Sequence, residues 1–188
     1  MRCICVLPAR GGSKRLPRKN IKIFLGRPII MRPIEAAHQS GLFTQVVVST
    51  DDDEIVNTVR GFATPERRHP DLCQDDVPDI EVVRDIARRL HGMDYLCYLY
   101  PTAALVTVEQ IRRGLDYLIR TGAPMVYTQY ADCLQDAGQF SWYDLAEVRT
   151  GRNIKRDALF INLDPMEAQD INTAEDFELA EMKARWRS

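Results

Sequence analysis

Short apolar runs alternating with helical segments constrain the fold of this 188-residue chain more than any other feature. Each run is rich in valine, isoleucine, leucine or tyrosine, which favours a strand. Tyr95–Tyr100 is apolar almost throughout, as expected for a strand covered on both faces of a sheet. The alternation predicts an α/β fold with a mostly parallel sheet and helices on both faces. The predicted strands are Cys3–Leu7, Gln45–Ser49, Tyr95–Tyr100, Pro124–Thr128 and Leu159–Leu163, with a short strand at Phe140–Tyr143.

Amphipathic segments with recognisable ends lie between these strands. Thr107 and Gln110 have the spacing of a capping box, so a helix is predicted to begin there and to end before Gly122. Two stretches, Phe62–Pro78 and Tyr130–Gln139, are predicted to be irregular. The predicted helices are Pro28–Ser40, Asp51–Arg60, Asp79–Leu90, Thr107–Arg120 and Thr173–Met182.

Composition excludes several classes of protein. The formal net charge of -2 argues against a general nucleic-acid binder. No apolar run approaches the length of a membrane span, and the first residues lack the apolar core of a signal peptide. The five cysteines include no C-x-x-C pair, so neither a zinc site nor a disulfide framework is predicted, and Cys3, Cys5 and Cys97 are expected in the core. These features predict a single domain, residues 1–188, in a reducing cytoplasm.

The stretch Pro8–Asn20 carries the strongest functional signal in the residues themselves. It follows a predicted strand and contains Gly11 and Gly12, which allow a sharp turn and a close approach of the backbone to a ligand. Its cations have no acidic residue between them, which favours a polyphosphate ligand. The spacing matches neither a Walker A loop nor the dinucleotide fingerprint. A solvated basic loop is the alternative, but it leaves the paired glycines unexplained.

A run of acidic residues, Asp51–Glu54, follows the second predicted strand. Acidic residues in the first turn of a helix interact favourably with the helix dipole, and this interpretation is favoured for Asp53 and Glu54. For Asp51, binding of a metal or ligand at the carboxyl end of the strand stays open.

Five segments in order resemble the acylneuraminate cytidylyltransferase family, whose members make CMP-sialic acids, and the pseudaminic acid branch most of all. The resemblance implies a Rossmann-like nucleotidyltransferase fold similar to glycosyltransferase A. It also implies transfer of CMP from CTP to a nine-carbon 2-keto sugar acid, with release of pyrophosphate. The segments are Pro8–Asn20, Val47–Asp52, Tyr98–Ala103, Asp136–Trp142 and Gln169–Asp176.

The same resemblance implies roles for residues of the first loop. Arg10 and Lys19 would hold the triphosphate and act in catalysis, with Arg15 alongside. Arginine suits bidentate phosphate contacts, whereas lysine acts as a point charge. Asn20 would reach the nucleotide, and the backbone N–H donors would come from Gly11, Gly12 and Ser13.

A magnesium site is implied just before the last helix. The family places two aspartates there, and this chain has Asp170, also expected to be catalytic, and Asn172. An asparagine can coordinate through its carbonyl oxygen but brings no charge. The alternative for Asn172 is a helix-start residue beside Thr173.

The sugar acid is expected to contact residues at the end of a central strand and in the branch-specific segment. These candidates are Tyr100 and Thr102, then Asp136 and Gln139. A turn made by residues 136–138 is the alternative interpretation of Asp136.

The chain departs from the family pattern in two places. After Asp75 and Asp76 the family has threonine and serine near the base, whereas here Val77–Asp79 leads into a helix. Residues 129–135 replace a long segment that in the family helps to form a homodimer and the sugar side of the pocket. A non-catalytic nucleotide- or sugar-binding relative is therefore the alternative function.

Overall fold

A computed structural model describes residues 1–74, 76–133 and 135–187. Asp75, named above in a family motif, and Leu134, in the short 129–135 connection, lie outside the described residues. The strands are β1 (Cys3–Pro8), β2 (Ile23–Phe24), β3 (Arg27–Pro28), β4 (Phe43–Thr50), β5 (Thr64–Arg67), β6 (Tyr95–Leu99), β7 (Met125–Tyr130), β8 (Asp136–Asp144) and β9 (Leu159–Leu163). The helices are α1 (Met31–Ser40), α2 (Asp53–Val59), α3 (Asp79–Arg89), α4 (Val108–Thr121), α5 (Leu145–Arg149) and α6 (Ala174–Trp186).

Seven strands form one sheet in the order β5-β4-β1-β6-β8-β7-β9. All pairs are parallel except those that β8 makes with β6 and β7. The predicted mostly parallel α/β fold is therefore confirmed. The antiparallel strand follows from chain length, because the short connection from β7 can only form a hairpin, whereas a parallel crossover needs a dozen or more residues.

Helices cover both faces of this sheet. On one face α1, α2 and α4 pack through residues such as Ile34, Ile55 and Ile111. On the other face α3 and α5 pack through Val83 and Leu145. The buried thiols of Cys3, Cys5 and Cys97 belong to this core, as predicted, and burial raises the pKa of Cys3 to about 11.

Several stretches differ from the predicted elements. The predicted loop Tyr130–Gln139 contains the start of β8, which begins at Asp136. Residues predicted to be irregular include β5, a short edge strand whose Pro65 suppresses a strand signal. The helix predicted from Pro28 begins at Met31, because a small hairpin of β2 and β3 precedes it and places Pro33 in the first turn.

Other element predictions are confirmed. Thr107 and Gln110 make both hydrogen bonds of the capping box that begins α4. Strand β9 has the predicted bounds, and α6 begins behind a second capping box at Thr173 but continues past Met182 to Trp186. No helix in the described ranges is long and apolar enough to cross a membrane.

Candidate active site

A cleft of about 450 Å³ opens where the chain leaves the carboxyl ends of β1 and β6. This position is the usual ligand site of open α/β sheets. The first loop supplies a basic wall, and β6 and α3 supply an aromatic and apolar wall. The lining residues used below are Arg10, Ser13, Lys14, Arg15, Lys19, Asn20, Arg68, Leu72, Val77, Asp79, Val82, Tyr98, Tyr100, Thr102 and Asn172.

The first loop is fastened to the acidic start of α2. The Gly11 N–H donates to Asp51 Oδ1 at 2.8 Å. Arg18, in the left-handed region at φ 58°, donates to both carboxylate oxygens of Asp52 at 2.6 and 3.1 Å and also pairs with Glu54. The hydrogen bond from Arg18 is the main cause that lowers the pKa of Asp52. The acidic run therefore anchors the basic loop, and metal or ligand binding by Asp51 stays untested.

The lack of a side chain at Gly11 allows the loop to lie this close to Asp52. A Cβ added there would lie 2.4 Å from Asp52 Oδ2, closer than real Cβ contacts come. A Cβ added at Gly12 would meet no atom within 4 Å. The two glycines therefore differ, because packing against Asp52 requires a glycine at position 11, whereas the space around Gly12 is open.

Lys19 lies at the centre of the basic wall. Its ammonium group donates to the Ile171 carbonyl oxygen at 2.6 Å, which ties the first loop to the segment before α6. Burial lowers the pKa of Lys19, and the nearby charges of Arg15 and Arg10 lower it further, while Asp170 opposes the shift. An added anion would relieve this repulsion, so the wall is suited to bind a polyphosphate.

Asn172 connects the first loop with Asp170. Arg15 Nη2 donates to Asn172 Oδ1 at 2.9 Å, and Asn172 Nδ2 donates to Asp170 Oδ2 at 2.6 Å. The backbone N–H of Asn172 donates to Asp176 at 2.9 Å within the helix start. The backbone contact agrees with the interpretation of Asn172 as a helix-start residue, whereas metal coordination by its carbonyl oxygen stays a prediction.

Asp170 and Asn172 provide oxygen donors of the kind that Mg²⁺ prefers. Asp170 packs closely against Gly138, where an added Cβ would lie 2.8 Å from Asp170 Oδ1, so its carboxylate has little freedom to turn away. Within the described part of the chain, no group of three or more His, Cys, Asp or Glu side chains could hold a metal ion. Asn172 turns its Nδ2 toward Asp170 and its Oδ1 toward Arg15, so binding of a divalent cation by this pair stays a prediction.

Arg10 and Asn20 support each other across the loop. Asn20 is buried and donates from Nδ2 to the Arg10 carbonyl oxygen at 2.8 Å. Arg10 Nη1 donates to the Cys73 carbonyl oxygen at 3.4 Å, and its side chain lines the cleft. Asn20 therefore holds the loop in shape as well as facing the cleft.

The predicted sugar contacts divide into two groups. Tyr100 and Thr102 line the cleft. Gln139 is fully buried and donates to the carbonyl oxygens of Ala137 and Gln169 at 2.9 and 3.3 Å. Asp136 Oδ1 accepts from the Gly138 N–H at 2.8 Å, which makes the predicted turn, and burial raises its pKa. Neither Asp136 nor Gln139 lines the cleft, so their contact with a sugar stays a prediction.

The cleft is also lined by Arg68, Tyr98 and Asp79, which were not predicted as site residues. Arg68, just after edge strand β5, donates to the Ser49 carbonyl oxygen at 2.9 Å and reaches the cleft. Tyr98 lies two residues before Tyr100, and the alternation of a strand puts both rings on one face. Asp79, the first residue of α3, accepts hydrogen bonds from both tyrosines. The alternation of side chains along the strand could have predicted Tyr98 as a cleft residue. The position of Asp79 depends on the packing of α3 against the sheet and has no such signal in the sequence.

Comparison with known proteins identifies the family of the chain. A family model described as cytidylyltransferase matches residues 4–176. Pseudaminic acid cytidylyltransferase of Campylobacter jejuni (serotype O:2) is 37% identical over 133 residues, which are 68% of this chain and 57% of that protein. N-acylneuraminate cytidylyltransferase of Oncorhynchus mykiss is 30% identical over 158 residues, 84% of this chain and 34% of that protein. The chain thus matches little more than half the length of the first of these relatives.

Solved structures with the same fold include nucleotidyltransferases of low sequence identity. A CMP:2-keto-3-deoxy-manno-octonic acid synthetase complexed with CTP superposes with a TM-score of 0.80 at 14% identity, covering 100% of both chains. A manganese complex of Rv0371c from Mycobacterium tuberculosis superposes with a TM-score of 0.70 at 14% identity, covering 96% of this chain and 98% of that one. These likenesses establish the fold.

Proposed function

The chain belongs to the cytidylyltransferase family, and on that premise we propose that it transfers CMP from CTP to a sialic- or pseudaminic-type sugar acid. The products are a CMP-sugar and pyrophosphate. The observation that carries the proposal is Lys19, a half-buried ammonium group beside Arg10 and Arg15 whose pKa is lowered by burial and by these like charges. Such a cluster costs stability in the empty protein and is compensated when a triphosphate binds.

The reaction forms one P–O bond and breaks another. The anomeric hydroxyl oxygen of the sugar acid attacks the α-phosphorus of CTP, its proton passes to solvent, and the bond to the β-phosphate oxygen breaks. Charge grows on the leaving pyrophosphate, so cations placed on the triphosphate stabilise the transition state. Lys19 and Arg10 would supply these cations. The Gly12 N–H could donate to a phosphate oxygen, whereas the expected N–H donors of Gly11 and Ser13 already donate to Asp51 Oδ1 at 2.8 Å and to the Gly11 carbonyl oxygen at 3.0 Å.

Asp170 and Asn172 would hold Mg²⁺ next to the phosphates. When bound, such an ion neutralises phosphate charge and helps to align the reacting oxygens. Asp170 provides the single charged ligand of the pair. Arg15 donates to Asn172 Oδ1 at 2.9 Å, so this oxygen would have to serve both the guanidinium and the ion.

A non-catalytic nucleotide-binding relative is the second candidate. Two features favour it, the single carboxylate of the proposed metal pair and the short 129–135 connection, where we expect the segment for the dimer and the sugar side to be missing. On this alternative CTP still binds to the basic wall, but no sugar acid is activated.

The deciding experiment measures pyrophosphate release from CTP and Mg²⁺ with pseudaminic, legionaminic and N-acetylneuraminic acids in parallel. Release with one sugar acid is expected, and it would also identify the substrate. Lys19→Ala should weaken CTP binding and turnover together, whereas Asp170→Ala should abolish the Mg²⁺-dependent turnover and leave most CTP binding. Arg120→Ala, an exposed cation near the end of α4, is the matched control and should behave as wild type.

Asn172→Asp separates the two candidates further. A second carboxylate would strengthen metal binding, so turnover should rise in an active enzyme. No pyrophosphate release by wild type or by Asn172→Asp, together with measurable CTP binding, would favour the binding-only relative. Unchanged turnover in Asp170→Ala would contradict the metal assignment.

A further inference from the structure

Among the described residues that line the cleft, one carboxylate lies in the wall that faces the basic loop. Asp79 begins α3, and its two oxygens accept hydrogen bonds from two neighbouring tyrosines of the same strand face. Tyr98 Oη donates to Asp79 Oδ1 at 2.8 Å, and Tyr100 Oη donates to Asp79 Oδ2 at 2.6 Å. The two rings support each other edge to face, with centroids 5.6 Å apart. The carboxylate is therefore fixed in position at the cleft.

The fixed carboxylate keeps capacity to accept another hydrogen bond. Each carboxylate oxygen has two lone-pair sites, and the tyrosines use one on each. No salt bridge to Asp79 is found among the residues that the structure describes. Asp79 also remains exposed at the cleft surface, so a ligand can reach it.

Helix polarity offers a simpler reason for an acidic residue at this position. An aspartate in the first turn of α3 interacts favourably with the helix dipole whether or not a ligand binds. The helix dipole alone does not explain why two tyrosine hydroxyls donate to this carboxylate. One of them belongs to Tyr98, whose side chain is only 1% exposed. The convergence indicates a group that is held for recognition.

The charge of the proposed substrates limits what can lie beside Asp79. The triphosphate and the carboxylate of the sugar acid are anions, and a carboxylate repels both. The nucleoside is neutral and carries donors, namely the cytosine amino group and the ribose hydroxyls. Aspartate is a recognised acceptor for the cytosine amino group. Leu72, Val77 and Val82 give the same wall an apolar surface on which a base can pack.

We propose that Asp79, held by Tyr98 and Tyr100, accepts a hydrogen bond from the nucleoside part of CTP and so helps to select this nucleotide. The donor is the cytosine amino group or the ribose 2′-hydroxyl. Uracil presents an acceptor oxygen where cytosine has the amino group, so Asp79 would repel UTP. The inference rests on the proposed function and adds a specificity residue on the side of the cleft away from the phosphates.

The test measures affinities of the whole chain for CTP, UTP and dCTP by calorimetry, with wild type and Asp79→Asn. Asparagine keeps the size of the side chain but can donate to the uracil oxygen. If the base is read, Asp79→Asn should lower the CTP-to-UTP affinity ratio by about tenfold or more. If the ribose is read, the CTP-to-dCTP ratio should fall instead.

Two further variants separate recognition from support of the fold. Tyr98→Phe keeps the ring but removes one hydroxyl that fixes Asp79, so it should lower the same ratio by a smaller factor. Asp85→Asn, on the same helix and paired with Arg89, is the matched control and should change neither ratio. Melting curves of all variants show whether any has lost structure.

The outcomes distinguish this inference from the function on which it rests. Wild type that binds CTP, with both ratios unchanged in a folded Asp79→Asn, would overturn the inference alone. Wild type that binds none of the three nucleotides would overturn the proposed function and the inference together. A lowered ratio in Asp85→Asn equal to that in Asp79→Asn would also overturn it, because the effect would then come from the charge of α3 in general.

Discussion

At the scale of single residues, the cleft contains residues whose backbone conformation or charge is unfavourable in isolation and is stabilised by contacts with neighbouring residues. Arg18 adopts a left-handed backbone conformation, and its bidentate contact with Asp52 holds the loop in that shape. The pKa of Lys19 is lowered by burial and by the charges of two neighbouring arginines. Such local conflicts concentrate at functional sites.

The lowered pKa of Lys19 predicts a pH dependence of nucleotide binding. The charged form binds the triphosphate, and a bound anion raises the pKa again, so binding takes up protons once the pH exceeds the pKa of the free protein. CTP affinity should therefore fall on the alkaline side, by up to about tenfold per pH unit above that pKa. Because the pKa of Lys19 is lowered, the fall in CTP affinity should begin at a lower pH than it would for an ordinary lysine.

Calorimetric titrations of CTP between about pH 7 and 10 check this prediction. Lys19→Arg is the matched variant, because arginine stays charged over this range and should flatten the profile. Equal profiles in wild type and Lys19→Arg would show that another group causes the pH dependence.

At the scale of elements, helix α4 contains a glycine that helix propensity alone would disfavour. A Cβ added at Gly114 would lie 2.6 Å from Trp142 Cδ1 and 2.7 Å from Phe140 Cε2. Both aromatic rings belong to β8 and are fully buried, so neither can move aside easily. The glycine therefore lets α4 approach the antiparallel strand closely.

Gly114→Ala should destabilise the protein despite the better helix former. Alanine gains about 1 kcal/mol of helix propensity, but overpacking a filled core costs about 1–3 kcal/mol, and a contact this short belongs to the upper part of that range. We expect a net loss of about 1–2 kcal/mol in denaturant unfolding.

Asp116→Ala in the same helix serves as control, since its exposed pair with Arg120 contributes little and the change should stay within about 0.5 kcal/mol. An increase in stability for Gly114→Ala would mean that α4 and β8 are less tightly packed than their contact distances indicate.

At the scale of the whole molecule, the cleft joins segments that are far apart in the chain. The first loop contacts α2, Cys73 and the segment before α6, so bound CTP would fasten several parts of the sheet edge together. A ligand that binds only the folded state stabilises that state according to its concentration and affinity.

CTP at about 100 times its dissociation constant should add about 2.7 kcal/mol, which for a chain of this size raises the melting temperature by about 5–10 °C. Thermal unfolding with CTP, with cytidine and without ligand measures the effect. Cytidine lacks the phosphates that the basic wall would bind, so its shift at the same concentration should be much smaller. Equal shifts from CTP and cytidine would contradict the assigned role of the first loop.

Local sequence patterns predicted the α/β class, strand β1, the capping box that begins α4 and the basic loop after β1. These features depend on local periodicity, on glycine and on charge, which are read within a few residues. The hairpin of β2 and β3, edge strand β5 and the early start of β8 were missed, because short strands gain their stability from pairing with distant partners.

The assembly of the candidate site depends on the packing of distant segments. The tertiary structure assigned Asp51 and Asp52 to anchoring the loop, placed Asn172 between Arg15 and Asp170, and buried Gln139 away from the cleft. It also brought Asp79 to the hydroxyls of Tyr98 and Tyr100. Which donor meets which acceptor depends on how the strands and helices pack, and no spacing along the chain encodes those distances.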